Sequence, residues 1–120
     1  MKALLFLLAL LTLTVSLRAE LPPKMPAKVS TTEDFRQLLL STKWMWKNVS
    51  ANVPDRECVF MPDGSFQHPH FVAKFLIKDI QTVDLVRKDG IATLVFDSSY
   101  TKFEALDFDH KRRITGYRAP

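Results

Sequence analysis

Cysteine is nearly missing from this chain: Cys58 stands alone among 120 residues. One thiol cannot close an internal disulfide, so the burden of stability falls on packing. Glycine is almost as scarce. Gly64, Gly90 and Gly116 stand far apart, so neither a Gly-rich phosphate loop nor a G-x-S-x-G nucleophile elbow can be written. Carboxylate pairs offer no better start, because Asp107 and Asp109 flank Phe108 in a segment that reads as a turn, where Asp side chains commonly bond the nearby backbone. Glycoside hydrolysis needs two carboxyls fixed about 5 to 10 Å apart across a sugar, and no second partner presents itself. These absences argue against an enzyme and call for no cofactor.

A membrane-length apolar run is also lacking, since spanning a bilayer takes about twenty residues. The longest run, Ala3 to Leu17, has fifteen and mixes Thr and Ser into its end. With Lys2 before it and Arg18-Ala19 after it, this run reads as a secretory signal peptide covering residues 1–19, cleaved after Ala19 or alternatively after Ser16. No Cys lies near either position, so the lipid tether of a bacterial lipoprotein is not expected, nor is any stable membrane anchor. The expectation is a secreted, extracellular protein, or a periplasmic one in a Gram-negative host. Removing the leader leaves 101 residues with 15 basic and 13 acidic side chains. That excess is mild. The densest basic cluster, Lys111-Arg112-Arg113, is shorter than the tracts that read as polyanion patches, so it reads as a solvated turn and no nucleic-acid partner is expected.

Three prolines between Leu21 and Lys28 suit an extended leader over residues 20–29 and resist helix or central strand. A single β-rich domain is expected over residues 30–118. Ser30 and Glu33 have capping-box spacing, and Phe35, Leu38 and Leu39 form an apolar stripe, which predicts a short helix from about Thr31 to Leu40. From Lys43 onward the period becomes two. Expected strands are Lys43–Lys47, Glu57–Met61, Ser65–His68, Phe71–Lys78, Thr82–Arg87, Ile91–Phe96, Phe103–Asp107 and Arg113–Tyr117. Pro62-Asp-Gly64 and Lys88-Asp-Gly90 supply turn chemistry between them. Eight short strands with hairpin-length links predict an antiparallel meander, closed into a small barrel or folded as a two-sheet sandwich. The expected core is Phe35, Leu39, Trp44, Trp46, Phe60, Phe66, Phe75, Leu85, Leu94, Phe96, Phe103 and Ile114, with the helix plugging an open end or edge.

The order Trp44-x-Trp46, then Phe60-x-Pro-Asp-Gly64, then alternating strands with Asp89-Gly90 and a late Gly116, resembles small lipocalin-like β-meander modules of exported proteins. It spans roughly Lys43 to Arg118, and the Gly-x-Trp of lipocalins near the first strand is absent. The resemblance implies an architecture and a tendency to bind something in a barrel mouth or on a sheet face. It carries over no functional residue.

Aromatic supply nominates a ligand site at Trp44, Trp46, Tyr100 and Tyr117, since aromatic faces stack on sugars or line apolar pockets. Strand tryptophans also serve as plain core. The expected function is therefore non-catalytic binding of a carbohydrate or a small apolar molecule. A secreted protein-interaction factor, such as an inhibitor, matrix or toxin-like component, is the alternative, with Lys43, Lys47, Lys74 and Lys78 as a basic sheet face. His68 and His70 are spaced to share one strand face, the start of a metal site or metal-dependent hydrolase if Asp107, Asp109 or Glu104 joined them. A solvated strand end explains the pair with less, and Pro69 between them is awkward for a central strand. Asn48-Val49-Ser50 is an N-glycosylation acceptor in a eukaryotic host. Cys58 reads as a buried small hydrophobe, with an intermolecular disulfide or a reactive thiol as its functional rivals.

Overall fold

The structure, a computed structural model, describes residues 24–120. The expected signal peptide, its cleavage after Ala19 and the start of the Pro-rich leader lie outside the described residues. A helix, α1 (Thr32–Ser41), precedes eight strands: β1 (Lys43–Asn48), β2 (Arg56–Phe60), β3 (Ser65–His68), β4 (Phe71–Ile77), β5 (Thr82–Arg87), β6 (Gly90–Phe96), β7 (Lys102–Leu106) and β8 (Arg113–Arg118). No described helix is long and apolar enough to cross a membrane.

The capping box forms one residue later than the spacing predicted. Thr31 is the N-cap, its hydroxyl accepting from Asp34 N–H at 3.1 Å. Asp34 accepts in return from the Ser30 and Thr31 N–H groups at 3.0 and 3.2 Å. Glu33 is instead engaged one turn on by the Gln37 amide at 3.1 Å. At the far end, the Ser41 and Thr42 hydroxyls donate to the Gln37 and Leu38 carbonyls at 2.8 and 2.7 Å. Carbonyls that a helix end leaves without partners are thus satisfied before the chain extends into β1.

Each strand pairs antiparallel with its neighbour in sequence, and β8 returns to β1, closing a barrel without an edge. Closure removes the unpaired backbone that makes an open sheet prone to aggregate. Of the two expected forms, the barrel is the one found. All twelve expected core residues are buried: alternation places ten on the inner faces of their strands, and Phe35 and Leu39 lie on the apolar stripe of α1. Phe108, expected in a turn, is buried as well, at 5 % exposure. Its backbone carbonyl packs so closely on Gly90 that a Cβ there would collide, and this folds the β7–β8 turn over one end of the barrel.

The two ends differ. At one, α1 lies across the opening, and Phe35 meets the Phe96 ring edge-on at 5.2 Å. Trp44 meets Phe96 at 5.1 Å and Phe103 at 5.7 Å on the same floor. Arg36 ties the helix to the β2–β3 turn through the Pro62 carbonyl at 3.0 Å. No helix among the described residues covers the other end.

Candidate functional site

The end opposite α1 is where β1, β3 and β5 finish and β2, β4 and β6 begin. A cavity of about 290 Å³ opens there, near the lower end of ligand-site volumes. Its floor is aromatic. Trp46 meets Phe71 at 5.5 Å, Phe71 meets Phe108 at 5.2 Å, and the His68 ring stacks on Phe71 at 4.5 Å and 16°. Val53 and Pro54 of the β1–β2 loop stand at one side.

The rim is cationic. Arg56 opens β2, Arg87 closes β5 and Arg112 lies in the β7–β8 turn, and all three line the cavity together with Asp107. Arg87 is held over Phe71 and Phe108, 5.0 and 4.8 Å from their ring centres, and its Nε pairs with Asp89 at 3.2 Å. Arg56 and Arg112 have no carboxylate at ion-pair distance among the described residues. Asp107 accepts from its neighbour Phe108 N–H at 2.8 Å.

His68 ends β3 and His70 lies in the turn that follows. The two therefore do not share a strand face as their spacing suggested. Pro69 is the reason, since its fixed φ suits a tight turn and it lacks an N–H for a ladder. The His70 N–H donates to His68 Nδ1 at 3.1 Å, which leaves the proton of the neutral ring on Nε2. That Nε2 is buried and unpartnered. Burial, followed by the charges of His70 and Arg56 and opposed by Asp107, pushes the His68 pKa down to about 4, so the ring is neutral at neutral pH.

His68, His70 and Asp107 all line the mouth. Among the described residues, however, no three His, Cys, Asp or Glu side chains converge at metal-binding spacing. The other candidate ligands are placed elsewhere: Glu104 faces outward against Arg113 at 3.6 Å, and Asp109 accepts from Lys111 N–H at 3.0 Å.

The four aromatics nominated from sequence do not come together. Trp46 alone lines the mouth. Trp44 is fully buried near the helix end, its Nε1 donating to Thr42 Oγ1 at 3.0 Å. Tyr100 sits in the β6–β7 turn, donating to the Ile80 carbonyl at 2.7 Å and packing on Phe35 at 5.5 Å. Tyr117 points outward from β8 and donates to the Asp55 carboxylate. The lysine face also divides, because Lys43 and Lys47 on β1 are separated from Lys74 on β4 and Lys78 just past its end by two whole strands. Asn48 ends β1 at the rim, its side-chain oxygen accepting from Ser50 N–H at 3.1 Å. Cys58 is buried, its thiol donating to the Trp44 carbonyl at 3.4 Å. Burial, then the Glu57 charge, pushes its pKa up to about 12.

Sequence reasoning missed Arg56, Arg87 and Phe71 as site residues and read Arg112 as a solvated turn. The available signal was that each sits at a strand end or turn belonging to the same pole of an up-and-down meander. The chain matches no protein-family model, and neither a curated protein nor a solved structure matches it.

Proposed function

We propose that this is a secreted, lipocalin-like binding protein that takes a small molecule with an apolar or aromatic body into the mouth of its barrel. The observation that carries this reading is the asymmetry of the barrel: one end is plugged by α1, and the other opens on a cavity floored by Trp46 and Phe71. The consecutive antiparallel order of eight strands supports the lipocalin-like comparison, since such barrels hold one small ligand in their mouths. Export rests on the leader, and amino-terminal sequencing of the exported protein is expected to begin at Glu20. Asn48 stands on the rim, so a glycan attached there in a eukaryotic host would crowd the entrance; mass spectrometry of native protein checks its occupancy.

The test uses N-phenyl-1-naphthylamine, a neutral apolar dye, with binding mapped by NMR. The Trp46 indole signal is expected to move and that of Trp44 to stay still. Shifts confined to the outer strands, or no shifts, would remove the reading. A second reading, a protein-interaction factor, is favoured by Ile91, Val95 and Leu106, which are 45, 53 and 46 % exposed side by side on β6 and β7. Val95→Lys would then abolish partner capture while leaving dye binding intact.

A further inference from the structure

We propose that the molecule taken by the mouth is an organic anion, its acid group held by Arg56, Arg112 and His68 Nε2–H while its rings or apolar body lie on Trp46 and Phe71. This rests on the reading of the mouth as a binding site and adds the charge of the occupant. Three separate observations converge on it.

The first is an imbalance of charge. Arg56, Arg87 and Arg112 line the cavity against one carboxylate, Asp107. Arg87 is already engaged by Asp89 and two aromatic rings, which leaves Arg56 and Arg112 without a carboxylate partner among the described residues. Like charges gathered at a partly desolvated mouth repel one another and raise a positive potential that draws anions in. Guanidinium forks match carboxylate, sulfonate and phosphate oxygens.

The second is the buried, unpartnered Nε2 of His68. With Nδ1 accepting from His70 N–H, this atom is a donor only. A buried donor without an acceptor is costly, and an oxyanion entering the mouth supplies the acceptor. The third is the floor. Trp46 and Phe71 meet at 5.5 Å, a surface suited to a flat apolar body and of little use to an inorganic ion. A neutral sugar would leave the guanidiniums unpaired, and a cation would be repelled.

The test pairs two dyes with one ring skeleton: 1-anilinonaphthalene-8-sulfonate and its uncharged counterpart N-phenyl-1-naphthylamine. The sulfonate is expected to bind about tenfold tighter, the scale of one charge-assisted hydrogen bond, with an advantage that shrinks as salt rises. Arg56→Met and Arg112→Gln are each expected to remove most of that advantage and leave the neutral dye unaffected. Arg112 is exposed, so its variant tests the site even if Arg56→Met disturbs folding. Equal binding of both dyes at Trp46 overturns the anion and leaves the site standing, as does a sulfonate preference indifferent to both arginines. Failure of both dyes to move the Trp46 indole signal removes the site and the anion with it.

Discussion

Trp44 and Trp46 lie two residues apart on the inner face of β1, yet they end in different surroundings. Trp44 has no exposure at all and finds a hydroxyl partner in Thr42. Trp46 lies on the floor of a solvent-connected cavity beside a half-buried His68 and Phe71. The strand does not make this difference, because both residues belong to the same regular ladder with β2 and β8. What separates them is α1, whose Phe35 and Leu39 are also fully buried. A ten-residue helix is too short to persist alone in water, so plug and barrel end depend on each other. The helix end is therefore packed around fully buried rings, with Arg118 lying over Trp44, and the mouth is where Arg56 and Arg112 stand without a carboxylate partner among the described residues beside the unpartnered His68 Nε2.

The sharpest way to break that contrast is truncation at each end. Trp44→Ala is expected to cost about 3–5 kcal/mol, the range for emptying a large aromatic site in a packed core. Urea denaturation measures it, and dye binding at the mouth of the folded fraction should not change. Trp46→Ala is expected to cost less stability and to lose the dye. Equal stability losses from the two substitutions would mean that the mouth is as well packed as the plugged end.

Gly116 comes next. It pairs with Trp46 across β1 and β8, and the Phe103 ring occupies the space a side chain would need. Gly116→Ala is expected to cost about 1–3 kcal/mol through overpacking, seen as a lower urea midpoint with an unchanged slope. Thr31→Ala, which removes the hydroxyl half of the capping box, is expected to cost about 1 kcal/mol. Its effect should fall on one end only: faster hydrogen exchange in α1, with the Trp46 indole signal unmoved.

The helix, the eight strands and the core were legible because periodicity is a local property. Phe35 and Leu39 announce a helical stripe, and Phe71, Ala73, Phe75 and Ile77 announce a strand face. The mouth is not local. Arg56, Arg87 and Arg112 become neighbours only once β8 closes on β1, and which strand ends meet follows from closure. Phe108 was hidden for a related reason: the chemistry of Asp107 and Asp109 identifies a turn but not whether that turn folds inward. His70 was misplaced by counting two residues across Pro69, where the backbone reverses. The tryptophan pair misled in the opposite direction, since equal spacing and equal residue type conceal which end a helix will cover.

The smallest expected effect concerns His68, and it sharpens the contrast by pH. Its protonation is pushed from the ordinary 6.5 down to about 4, by burial first, then by His70 and Arg56, with Asp107 opposing. In the unfolded chain the same ring titrates near 6.5. Between those values the unfolded state holds a proton that the folded state refuses, so stability falls as pH drops from about 6.5 to about 4 and is fully present above that window. Asp97 acts in a lower one. Burial raises its pKa, but the Lys102 and Thr101 N–H groups and the Thr101 and Ser99 hydroxyls outweigh that and hold it at about 2; its contribution is lost only as pH falls below the ordinary carboxylate range. Because the His68 ring is half-exposed, solvent screening keeps its share small. His68→Gln is expected to flatten the dependence of unfolding free energy on pH between about 6.5 and 4, while Trp44→Ala lowers the whole curve without changing that slope. If His68→Gln left the slope intact, the titrating group would lie outside the mouth, and the two ends would no longer divide stability from charge.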